Sequence, residues 1–187
     1  SFVFLGFWTN PDLMLWYHEL EKKAQLQQAQ RILRSPEQFQ QLLKNLEQRV
    51  KNVPNDAKAW FLLGRLRAEK GEWVSAHDAM LQAHRLQPES IKTSLFYVET
   101  VWHTQSGLHA YARKVLQDVL VQDPMQPDAL MMLAADAKHQ HCYQRALVYL
   151  NRLISIIPKD TPMYQDLYQE ILKIKRKSSS SCELKDE

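Results

Sequence analysis

Apolar residues recur every three or four positions along most of the chain, the spacing of amphipathic helices rather than the alternation of strands. The plainest case runs from Glu37 to Asn52, where Phe39, Leu42, Leu43, Leu46 and Val50 share one side and Gln, Lys and Arg the other. Ser35-Pro36 precede it as N-cap and first helical residue. Further helical faces are predicted from Trp60 and Leu63, from Ala76, Met80 and Ala83, from Leu95, Val98 and Trp102, and from Ala112, Leu116 and Val119. Leu130 and Leu133, then Ala146, Leu150 and Leu153, mark two more. From Met163 to Lys175 a last stripe holds Tyr164, Leu167, Tyr168, Ile171 and Leu172. An earlier helix, from about Pro11 to Leu33, carries Leu15, Leu20, Leu26 and Ile32 less regularly among several glutamines.

These elements repeat. Pro54, Pro88, Pro124 and Pro158 stand 34, 36 and 34 residues apart, a period that means stacked units. Between the first two lies Trp60-x2-Leu63-Gly64-x2-Arg67, then Gly71-x-Trp73-x2-Ala76-x3-Met80-x2-Ala83. This resembles the tetratricopeptide (TPR) repeat, departing where Arg67 replaces the usual Tyr and Met80 the usual Phe. Gly64 and Ala76 mark the place where the two helices of a unit cross closely. Gly71 is the left-handed residue after the first helix, and Pro88 stops the second.

The unit from Pro124 to Pro158 repeats the scheme, with Ala134 in the role of Gly64. The middle unit is degenerate. Glu99 stands where a small residue is expected, and extra residues fall near Ser90 and around Ser106-Gly107-Leu108, so looser packing is expected there. The expected fold is all-α: a TPR superhelix of about three units with flanking capping helices over residues 36–177. Residues 1–35 form an apolar arm and approach helix, and residues 178–187 a polar tail too poor in apolar area to order itself.

Charge narrows the function. The 187 residues carry 24 Lys and Arg against 21 Asp and Glu, interspersed, for a net +3, so no broad field exists to hold a nucleic acid. Four glycines leave no phosphate-cradling loop. No hydrolase elbow, P-loop, dinucleotide fingerprint or zincin motif is present, which points away from an enzyme. His139-x-His141-Cys142 at the turn of the last unit is the strongest metal or haem candidate, but residues two apart do not share a helix face. It is read as a polar turn, and neither a metal nor a cofactor is expected. Cys142 and Cys182 form no C-x-x-C pair and are read as free thiols, since pairing requires the tail to fold back on the last repeat. The Lys173 to Lys177 basic run is read as complementing a helix dipole. The apolar start, Ser1 to Trp8, is too short to cross a bilayer, which takes roughly 20 residues. It admits two readings, an arm packed on the domain or the stump of a membrane anchor.

Function is therefore expected on the concave face, lined by the first helix of each unit. The first unit contributes Lys58, Phe61, Leu62, Arg65 and Glu69 to it. Thr93, Phe96, Tyr97, Thr100 and His103 come from the middle unit, and Asp128, Met131, Met132, Ala135 and Lys138 from the last. Phe61, Phe96, Tyr97, Met131 and Met132 make an apolar trough rimmed by Arg65, His103 and Lys138, suited to an amphipathic helix with a negative or polar rim.

Asn55-Asp56-Ala57-Lys58-Ala59-Trp60-Phe61-Leu62-Leu63-Gly64-Arg65 and Asp128-Ala129-Leu130-Met131-Met132-Leu133-Ala134-Ala135-Asp136-Ala137, with the irregular unit between them, sharpen the likeness. They resemble the TPR region of bacterial cytochrome c maturation proteins of the CcmH, CcmI and NrfG kind. The resemblance implies a periplasmic module, anchored to the inner membrane through a segment upstream of Ser1, that binds the C-terminal helix of apocytochrome c beside other haem-lyase and maturation subunits. The alternative is a general TPR scaffold for another helical partner. An encoded membrane span upstream of Ser1 favours the first.

Overall fold

The computed structural model describes residues 35–105 and 107–177, and among these it holds eight α-helices and no strand. They are α1 (Pro36–Asn52), α2 (Ala57–Glu69), α3 (Trp73–Leu86), α4 (Ile91–Thr104), α5 (Ala110–Gln122), α6 (Pro127–His139), α7 (Tyr143–Ser155) and α8 (Pro162–Lys177). The fold is the expected all-α arrangement, with α2–α3 and α6–α7 as packed repeat pairs, while α4 and α5 carry the sequence of the middle unit. The apolar arm, the approach helix and the polar tail lie outside the described residues, as does the choice between arm and anchor stump. No helix among the described residues is long and apolar enough to cross a membrane.

The described chain divides into two compact units, residues 35–104 and 105–177, so the division falls within the degenerate middle repeat. In the first unit Ser35 Oγ accepts from Gln38 N at 3.2 Å and starts α1. Leu43, Leu46 and Val50 of α1 pack with Ala59, Leu63 and Ala79, and with the partly buried Leu42, Trp60 and Leu66. Each such leucine contributes about 1.5–3 kcal/mol by leaving water. Arg67, the departure from the repeat pattern, donates to Glu47 of α1 at 2.7 Å and to Glu72 at 3.4 Å, tying the capping helix to the following turn.

α2 ends in a Schellman turn. Gly71 takes φ +75°, its N–H bonds Ala68 O at 2.9 Å, and Glu72 N bonds Arg67 O at 2.9 Å. Seventy positions later α6 ends the same way: His141 takes φ 59°, its N–H bonds Lys138 O at 2.8 Å, and Cys142 N bonds Ala137 O at 2.7 Å. A histidine thus holds the left-handed position that glycine fills in the first repeat.

In the second unit Leu116, Leu130, Leu153 and Leu167 are fully buried. α8 caps the array with Met163, Leu167, Ile171 and Ile174 buried, leaving Tyr168 exposed and stacked on Tyr164. The buried stripe is therefore shifted from the expected one, because Ile174 and Met163 carry more apolar area inward than the amphipathic tyrosines, whose hydroxyls favour water. Asp136 of α6 is buried at 3% exposure. Its carboxylate receives Leu108 N at 3.4 Å and Gln140 Nε2 at 2.8 Å and faces Arg113 Nη1 at 3.5 Å. Burial pushes its pKa up, with Arg113 opposing.

Candidate functional site

Asp56 starts α2 by accepting from Ala59 N at 3.0 Å, and it meets Arg49 Nε of α1 at 2.5 Å. These two donors hold its carboxyl below the usual range. Trp60 Nε1 donates to Pro54 O at 2.8 Å, fixing the turn before the helix. With Ala57, Ala59, Leu63, Gly64 and Ala68 buried, the opposite side of α2 presents Lys58, Phe61, Leu62, Arg65 and Glu69. Lys58 and Glu69 are exposed, Leu62 is 50% exposed, and Phe61 and Arg65 are half-buried.

The first helix of the next repeat, α4, reaches this face. Phe96 meets Phe61 edge to face, with ring centroids 6.0 Å apart and planes at 66°. Arg65 Cζ sits 5.0 Å from the centre of the Phe96 ring, and Lys92 Nζ sits 5.2 Å from the centre of the Phe61 ring. Each helix supplies one ring and one cation, and each cation covers the other helix's ring. Lys92 was not among the residues expected from sequence. Its signal is the four-residue spacing to Phe96, which puts both on one helical stripe.

Tyr97, Thr100, Met131 and Ala135, expected to line an open trough, are instead buried, at 2%, 0%, 7% and 1% exposure. For α4 the cause is visible. Thr100 Oγ1 donates to Tyr97 O at 2.6 Å and lies 3.2 Å from His77 Nδ1 of α3, so His77 carries its proton on Nδ1. Ser94 Oγ lies 3.1 Å from His84 Nδ1, and the His84 ring stacks on Tyr97 with centroids 5.1 Å apart. His77 tilts against the same tyrosine at 5.5 Å. A polar stripe of α4 therefore packs on α3, because imidazole and hydroxyl partners satisfy it there.

The rim differs too. His103 stacks flat on Trp73 with centroids 3.5 Å apart, and burial lowers its pKa to about 4, so it is neutral near pH 7. Lys138 of α6 is bound to Glu170 of α8 as a bridge to the capping helix. The structure thus brings Phe61, Leu62, Arg65 and Phe96 together in the first unit, while Met131, Ala135 and Lys138 belong to the packing of the second.

The turn candidates diverge. His141 Nδ1 lies 3.2 Å from the Tyr143 hydroxyl, whereas His139 approaches the backbone at Gly107. Cys142 is buried and disulfide-bonded, which corrects the expectation of a free thiol. Pairing depends on approach in space, on which spacing along the chain is silent. The chain's other cysteine, Cys182, lies outside the described residues. Among the described residues no three His, Cys, Asp or Glu side chains converge as a metal would require.

Residues 12–164 match the family described as the cytochrome c-type biogenesis protein H TPR domain. The NrfFG bifunctional subunit of the formate-dependent nitrite reductase complex of Haemophilus influenzae is 27% identical over 60% of this chain and 30% of its own length. The cytochrome c-type biogenesis protein CycH of Pseudomonas aeruginosa is 22% identical over 72% of this chain and 33% of its own. The chain thus spans about a third of the length of these relatives. A crystal structure of MamA superposes with a TM-score of 0.62 at 18% identity, covering 78% of this chain and 83% of that one. At that identity the likeness concerns the fold alone.

Proposed function

Since the chain belongs to the cytochrome c-type biogenesis protein H TPR domain family, we propose that it is a non-catalytic adaptor of cytochrome c maturation that holds the C-terminal helix of an apocytochrome c. The observation that carries this reading is the pair Phe61 and Phe96, two aromatic side chains on adjacent helices, flanked by Arg65 and Lys92 and continued by the half-exposed Leu62. An apolar centre with a cationic border suits an amphipathic helix laid in a groove. Similarity to the cytochrome c-type biogenesis protein CycH supports a c-type cytochrome as the client.

In this role the domain brings the client to other maturation subunits, which handle thiols and haem. It works on the periplasmic side of a membrane, tethered through a segment upstream of Ser1. The disulfide at Cys142 supports an oxidising compartment, where such bonds persist.

Calorimetric titration with synthetic C-terminal helices of c-type cytochromes, against scrambled peptides of the same composition, tests the reading. Binding in the micromolar range, about −8 kcal/mol, is expected for the native order alone. Equal binding of the scrambled peptides, or none by either, defeats it.

A further inference from the structure

Cys142 opens α7 where the backbone is fixed from both sides. The left-handed turn at His141 brings the Cys142 N–H onto Ala137 O at 2.7 Å, and the Cys142 carbonyl accepts from Ala146 N at 3.1 Å. Its side chain makes no cap hydrogen bond and packs with Ala137 and Ala146 in an apolar cluster, at 4% exposure. A thiol in that place would be a small core residue. The sulfur is instead half of a disulfide. The chain has two cysteines, so within one molecule the other half is Cys182. The described helices bring the chain back to the right end of the hairpin. α7 and α8 pack together, and Glu170 of α8 is bound to Lys138 of α6, four positions before Cys142. From Glu170, α8 runs on to Lys177, about 10 Å at the helical rise. From Lys177 to Cys182 the extended chain reaches about 17 Å, enough to return to the level of Cys142.

We propose that a Cys142–Cys182 disulfide ties the segment after α8 to the start of α7 and so staples the capping helix to the last repeat. The bond closes a loop of about 40 residues that contains both helices. The end of α8 is the part that gains. Its last buried residue is Ile174, and Lys175, Arg176 and Lys177 are all exposed, which leaves the final turn without a buried side chain. A chain end of that kind frays unless it is tied down. The bond forms by exchange: the two thiols pass two electrons and two protons to a disulfide donor, which leaves as two thiols. A dithiol reductant runs the exchange backwards and is itself left as a disulfide. The cap is therefore firm in an oxidising compartment and loosened in a reducing one. This inference stands apart from the proposed client, since it concerns what holds the last helix rather than what the domain binds.

The test uses the full 187-residue chain, purified without reductant and alkylated under denaturing conditions before digestion. Mass spectrometry is expected to find the Cys142 and Cys182 peptides joined, lighter by two hydrogens than the separate thiols, with neither cysteine alkylated. Alkylated Cys182, or either cysteine joined to a second copy of the chain, overturns the pairing. This measurement needs no altered protein. The staple is read from melting: a dithiol reductant should lower the midpoint by about 5–15 °C. Cys182→Ser should lower it by the same amount and abolish the response to reductant. That variant keeps the buried Cys142 side chain in its cluster, whereas Cys142→Ser would strand a hydroxyl among alanines. Hydrogen exchange should quicken in the last turn of α8 and stay unchanged in α1, α2 and α3. A midpoint moved by neither the reductant nor Cys182→Ser overturns the staple.

Discussion

Gly64 lies so close to Met80 that a Cβ on the glycine would come within 2.9 Å of both Cγ and Cε of the methionine, and within 3.2 Å of Ala76 O. Met80 is fully buried and cannot swing away. Gly64→Leu is therefore expected to destabilise the domain by about 3 kcal/mol, as overpacked cores do. A urea midpoint lowered with an unchanged slope is the signature.

Asp136 is buried among three donors, and burial raises its pKa above the unfolded value near 3.8. A raised folded pKa gives stability that is complete below the unfolded value and lost as pH rises through the folded one. Asp136→Asn should remove this gain on acidification, visible when melting temperatures of the two proteins are compared across pH 4 to 7. Asp136→Ala, which leaves the buried Leu108 N–H without its acceptor while Arg113 keeps its bond to Leu108 O, should cost about 1–3 kcal/mol at every pH.

His103 titrates in the opposite sense. Its pKa falls from 6.5 to about 4, so its contribution is present above 6.5 and lost as pH falls through 4. An NMR titration should place the imidazole midpoint near 4, and His103→Phe should flatten the acid limb of the stability profile. A midpoint near 6.5 would show the stack on Trp73 to be open to water.

His141 pays for a left-handed backbone that Gly71 adopts freely. His141→Gly is expected to stabilise the protein by about 1 kcal/mol, raising the melting temperature by about 2–4 °C for a chain of this size.

Leu62, half exposed, contributes little to the core. Leu62→Ser should change stability by less than about 0.5 kcal/mol. The same substitution should weaken peptide binding several-fold in the titration, which separates a ligand contact from a packing one.

The repeat was legible because its punctuation is steric: Gly64, Gly71, Ala76 and the prolines each answer to a geometric demand that only those residues meet cheaply. The capping role of α1 was legible from its one-sided apolar stripe. The rotation of α4 about its axis was not. Thr100 was expected on the open face, yet it is buried against His77, as are its polar neighbours on the same helix, Thr93 and Ser94, the latter against His84. Half of an aromatic and cationic quartet could be found from α2 alone, since Phe61, Leu62 and Arg65 lie on its open side. Lys92 acquires meaning only once α4 is set beside α2. The state of Cys142 and the left-handed twist at His141 are properties of space and backbone that residue types do not announce.

The Tyr97 ring held between His77 and His84 makes the joint from α3 to α4 a keyed one. Oily surfaces can slip by a tooth and remain oily, whereas a one-turn slip here would leave hydroxyls facing hydrocarbon and imidazoles without mates. The joint therefore acts as an indexing pin. It keeps Phe96 and Lys92 in phase with their counterparts across the groove, so that whatever lies there meets a fixed ruler rather than a pliable hand.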